Sequence, residues 1–70
     1  MTTLKRLRQR TGWSLRIAAD AIQIHNSHLC RLERGQHYPS RATVQKLADA
    51  YGVTPRTIWS AADATQEERA

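Results

Sequence analysis

Three residues, Gln23 to His25, separate two stretches of helical periodicity in this 70-residue chain. Before them, Ile17, Ala18, Ala21 and Ile22 recur at helical spacing behind Ser14, a suitable N-cap. After them, Leu29 and Leu32 mark a second helix over residues 26–34, closed by Gly35. A joint this short forces the two axes to cross steeply, the geometry of a helix-turn-helix.

The rest of the chain is helical too. Leu4 and Leu7 begin a first helix that stops near Gly12, and Trp13 is placed to staple against Ala18. Ser40 caps a fourth helix carrying Val44, Leu47, Ala48 and Tyr51 and ended by Gly52. Thr54 and Pro55 open a short fifth helix with Ile58 and Trp59. No alternating strand pattern interrupts them. The expectation is an all-α domain of five helices over residues 1–62, followed by a polar, frayed tail over residues 63–70.

Composition narrows the class. A chain of 8.0 kDa has room for one domain with a thin core. A single cysteine excludes an internal disulfide, and no apolar run approaches the roughly 20 residues that span a bilayer. The start of the chain, MTTLKRLRQRTG, lacks the apolar region of a signal peptide. A cytoplasmic protein with no membrane partner is expected.

Charge is distributed unevenly. Residues 1–41 hold eight Lys and Arg against two acids, a net of +6, whereas residues 42–70 net −1. That asymmetry suits a surface that meets phosphates. On the third helix, Leu29, Leu32 and Glu33 share one face, and Ser27, Arg31 and Arg34 fall opposite with Asn26 and Cys30 on the flank. The outward face is polar and basic without an acid. Arginine can bridge O6 and N7 of guanine, and asparagine N6 and N7 of adenine.

Glu33 beside two leucines needs a partner, since an unpaired buried carboxylate is costly. Arg8 lies at the edge of the apolar stripe of the first helix, so an Arg8–Glu33 ion pair is expected to fix that helix against the third.

The segment GWSLRIAADAIQIHNSHLCRLERGQHYPSRATVQKLADAYGVTPRTI resembles the Cro and phage-repressor type, or XRE, helix-turn-helix family. Its most specific parts are SHLCRLERGQHYPS, similar to the family's recognition helix and following loop, and TVQKLADAYGVTPRTI, similar to its last two helices. The resemblance implies a five-helix, lambda-repressor-like DNA-binding domain, a regulator or repressor that binds a palindromic operator as a homodimer. Carried over by position, it implies base contacts from Asn26, Ser27 and Arg31. It implies phosphate contacts from Ser14, Arg16, His28, Arg34, Ser40 and Arg41. An Arg–Glu pair between the first and third helices is also a family feature.

Ile58 and Trp59 are the expected dimer surface. Three positions depart from the family pattern. Leu15 stands where glutamine is frequent, Gln23 where a turn glycine is usual, and Ala18 where the core residue is larger, with Ile17 placed to compensate. His25 occupies a position that is often a small hydroxyl residue.

Catalysis finds no nucleophile–base set and no phosphate-cradling glycine loop, so an enzyme is not expected. No cofactor is expected either. A metal site from His25 and His28 is disfavoured because Cys30 points elsewhere on the helix. The alternative function is a protein-interaction module, an antitoxin or adaptor, holding a protein partner with the same fold.

Overall fold

Each helix starts at a side chain that can accept a hydrogen bond, which fixes the order and bounds of the elements. The computed structural model describes residues 2–69 and forms α1 (Leu4–Thr11), α2 (Leu15–Ile22), α3 (Asn26–Glu33), α4 (Arg41–Tyr51) and α5 (Pro55–Arg69). Among the described residues there is no strand. Ser14 Oγ accepts the Ile17 N–H at 3.2 Å, Ser40 Oγ that of Thr43 at 3.3 Å, and Thr54 Oγ1 that of Thr57 at 3.2 Å. Thr3 caps α1 by accepting from Arg6 at 3.2 Å. Each such cap stabilises its helix by about 1 kcal/mol.

The core is filled by leucines from α1, α3 and α4, by Ile22 and Ile58, and by Ala18 and Ala19 of α2. Leu29 and Leu32 are fully buried, which anchors α3 by about 1.5–3 kcal/mol each. The two alanines are equally buried, and a small side chain at a helix crossing permits a short interaxial distance.

Ile17 does not compensate for Ala18. It is 53% exposed, because the inward arc of α2 runs through Leu15, Ala18, Ala19 and Ile22 and leaves Ile17 and Ala21 outside. Trp13 packs on the core with its ring tilted 40° to that of Tyr51, centroids 6.2 Å apart.

The tail expected to fray is helical through Arg69, a correction to the sequence reading. Its polar composition conceals the buried Ala64 and Thr65, which continue the inward stripe of Ile58, Ala61 and Ala62. Thr65 Oγ1 accepts the Leu4 N–H at 3.1 Å and donates to the Ala61 carbonyl at 2.7 Å, so the hydroxyl is satisfied in the interior. Ala70 lies outside the described residues.

Arg8 and Glu33 join α1 to α3 as a two-pronged ion pair. Arg8 Nε donates to Glu33 Oε2 at 2.7 Å and Nη2 to Oε1 at 3.1 Å, while Nη1 donates to the Trp13 carbonyl at 3.0 Å. The side chains are only 13% and 6% exposed. The hydrogen bond to Glu33 raises the pKa of the Arg8 guanidinium above its ordinary value. Beside this pair the Tyr51 phenol is pushed well above the usual tyrosine range, chiefly by burial and then by the negative charge of Glu33.

Three outcomes follow from these contacts. Glu33→Gln leaves the guanidinium without its counter-charge and is expected to cost about 2 kcal/mol, lowering the unfolding midpoint by on the order of 10 °C in a thermal scan. Gln23 holds φ 68° without being glycine, so Gln23→Gly is expected to raise stability by about 0.5–1 kcal/mol in denaturant titration. A phenol whose folded pKa is raised contributes stability that is present below the unfolded value near 10 and lost as pH rises above it. Midpoints measured from pH 7 to 11 should therefore fall above about pH 10, and less so in Tyr51→Phe.

Candidate nucleic-acid interface

The turn between α2 and α3 is closed by backbone bonds that bring the two helices together at a fixed angle. Gln23 takes a left-handed conformation, its N–H reaching the carbonyls of Ala19 at 2.8 Å and Asp20 at 3.2 Å. The Ile24 N–H reaches the Ala19 carbonyl at 3.0 Å, and the Ile24 side chain packs against the core. The function that family glycines serve at this position is carried here by glutamine at some conformational cost.

His25 begins α3 in place of a hydroxyl residue and does the hydroxyl's work. Its Nδ1 accepts the Ser27 N–H at 3.1 Å and lies 2.7 Å from Ser27 Oγ. With that ring nitrogen as acceptor, the Ser27 hydroxyl is the donor of the 2.7 Å contact. Histidine is not a favoured cap residue, and nothing in the sequence pattern signalled this role.

Along α3 the inward and outward faces separate cleanly. Leu29 and Leu32 are buried, whereas Asn26, Ser27, Arg31 and Arg34 are exposed. Glu33, the one acid on the helix, is turned inward onto Arg8. Among the described residues the Arg8–Glu33 contact is the only ion pair, so Arg31 and Arg34 stand on the surface without a carboxylate partner. Cys30 is half-buried in a cleft with Lys5, Leu15 and Arg34, Lys5 being a neighbouring cation that the sequence reading did not single out.

The remaining candidates lie at helix starts. Ser14 and Ser40 are exposed and occupied as caps, and Arg16 and Arg41 are exposed one turn or less beyond them. The first-turn N–H groups of such helices carry partial positive charge suited to an anion. His28 is half-buried, with its ring edge-on to that of His37 at 6.3 Å.

The expected dimer pair divides. Ile58 is 0% exposed and belongs to the core, because its side of α5 is the inward stripe, so it cannot meet a partner. Trp59 is half-buried and stacks on Tyr38 at 5.6 Å, and the Tyr38 hydroxyl donates to Asp63 Oδ1 at 2.7 Å. Among the described residues, no helix is long and apolar enough to cross a membrane. Among the same residues, no three His, Cys, Asp or Glu side chains gather as a metal-binding set.

Known proteins resemble this chain in sequence. The chain is 47% identical over 51 residues to the HTH-type transcriptional regulator DdrOP3 of Deinococcus deserti, covering 73% of this chain and 40% of that protein. It is 42% identical over 59 residues to the HTH-type transcriptional regulator SutR of Escherichia coli, covering 84% of this chain and 33% of that protein. An uncharacterized HTH-type transcriptional regulator of Mycobacterium tuberculosis is 37% identical over 54 residues, 77% of this chain and 21% of its own length. The chain thus spans well under half of these relatives. No solved structure matches significantly. The helix-turn-helix domain family matches residues 2–58, the stretch that contains α1 to α4, the steep α2–α3 joint and the start of α5, and the chain belongs to that family.

Proposed function

We propose that this chain binds double-stranded DNA with sequence preference and acts in transcriptional regulation, as a repressor seated on a palindromic operator. The observation that carries the proposal is the outward face of α3, which is cationic, exposed and free of acid because Glu33 is drawn inward by Arg8. An ordinary solvated face mixes both signs of charge, whereas a face of one sign suits a polyanion. The relatives' names as transcriptional regulators point the same way. Such a regulator works at the chromosome, in the cytoplasm.

The mechanism follows from the parts. Arginines draw the domain to the duplex and displace condensed counterions, giving affinity that falls steeply with salt. The start of α3 enters the major groove, where Asn26, Ser27 and Arg31 meet base edges. Ser14, Arg16, His28, Arg34, Ser40 and Arg41 hold the backbone and set register. One module this small makes few base contacts, so a homodimer spaced by a helical turn of DNA doubles them and selects a palindrome. The stack of half-buried Trp59 on exposed Tyr38 is the aromatic surface suited to that pairing.

Selection of bound duplexes from a random pool tests this directly, and recovery of a two-fold symmetric site is the expected result. Arg31→Ala is expected to reduce preference for that site by about 1–3 kcal/mol. Arg34→Ala is expected to weaken specific and random duplexes alike and to lower the salt slope by about one. Base reading by Arg31 is wrong if its removal shifts both duplexes equally. A chain that enriches no sequence and retains a protein complex after Arg31→Ala is an interaction module instead.

A further inference from the structure

The end of α3 is held from a direction that the helix-turn-helix match does not include. Gly35 follows α3 at φ 75° and is buried. Its N–H reaches the Leu32 carbonyl at 3.2 Å, and the next N–H, of Gln36, reaches the Arg31 carbonyl at 2.9 Å. These bonds close α3 on the backbone of Arg31 itself. The Gly35 carbonyl, now outside the helix, accepts two donors from the last turn of α5, Gln66 Nε2 at 2.9 Å and Arg69 Nη1 at 3.0 Å.

The contact is close as well as polar. A Cβ built on Gly35 would lie 3.1 Å from Arg69 Cβ and 3.2 Å from the Thr65 carbonyl oxygen, so α5 rests closely on this glycine and would have to give by a few tenths of an ångström to admit a side chain. The same turn of α5 is tied to the start of α1 through Thr65 and the Leu4 N–H. The family match ends at residue 58, before all three of Thr65, Gln66 and Arg69.

We infer that the last turn of α5 is a clamp on the recognition helix, in which Gln66 and Arg69 are positioning residues that set the rotation of α3 about its own axis. Glu33 is held by Arg8 from α1, and Gly35, two residues on, is held by Gln66 and Arg69 from α5. Two tethers from different helices on one short segment resist rolling as a single tether does not. A roll of about 20° moves a side-chain tip on an α-helix by roughly 2 Å. That is enough to break a bidentate contact between Arg31 and a base. Neither Gln66 nor Arg69 needs to touch DNA for this.

The DNA half of the inference rests on the proposed function; the clamp itself does not. The test compares the full chain with a Gln66→Ala, Arg69→Ala double variant and with Arg69→Lys, which keeps a donor toward Gly35. Amide exchange of Gln36 is followed by NMR without DNA, and binding is measured to the selected site and to a random duplex. The double variant is expected to exchange Gln36 about tenfold faster. It is also expected to lose about tenfold in preference for the selected site, with random-duplex affinity changed by less than about threefold. Arg69→Lys should match the wild type in both. If the double variant does not fold, Gln66→Ala alone should show the same two changes at about threefold each.

Unchanged Gln36 exchange in the folded variant overturns the clamp. Faster exchange with unchanged preference overturns the positioning role while leaving the clamp. A wild type that prefers no duplex defeats the DNA reading, and the exchange comparison still decides whether the clamp exists.

Discussion

The Arg8–Glu33 pair is the constraint around which the domain is arranged. A carboxylate 6% exposed beside two buried leucines is tolerable only with a counter-charge and satisfied lone pairs, and Arg8 supplies both to its two oxygens. The third guanidinium nitrogen holds the Trp13 carbonyl, so one side chain ties together the middle of α1, the chain leading into α2 and the last turn of α3. The geometric result is that α3 is fixed against α1. The electrostatic result is that the one negative charge on α3 is removed from its exposed surface. Packing and charge pattern have the same cause.

Within that frame the turn between α2 and α3 carries strain and the core carries little bulk. Gln23 occupies a left-handed conformation that side chains resist. Ala18 and Ala19 bury few methyl groups where larger side chains would contribute more. Both features favour close approach of α2 to its neighbours over maximal stability. The caps at five helix starts and the added length of α5 offset part of that deficit.

What was legible in the sequence was whatever depends on spacing along the chain. Ser14, Ser40 and Thr54 as caps, Gly12, Gly35 and Gly52 as helix ends, and the Leu29–Leu32 face were all visible, because caps and periodicity are local. Arg8 and Glu33 were visible as a pair because each sat beside an apolar stripe with a charge to satisfy. The outer and inner sides of α2 and α5 were harder. A run such as Ile17, Ala18, Ala21 and Ile22 fits more than one arc, and only contact with α3 and α4 chooses the one that leaves Ile17 in water. Ile58 and Trp59 are adjacent, and their division into core and surface depends on the same kind of choice. The last turns of α5 were invisible for another reason: glutamine and arginine that bind a distant carbonyl have the composition of a loose end. The expected base and phosphate contacts were named from family positions, and the fold leaves all of them exposed but His28, which is half-buried.

The hydrogen bond from the Leu4 amide to Thr65 spans 61 positions of a chain of 70. Closing so large a loop is entropically costly until the helices between have already assembled. The bond therefore depends on the packing of the helices between its partners and does not organise them. The two ends of the chain are thus held together only in the assembled domain, where α5 also carries core residues Ile58, Ala61 and Ala62.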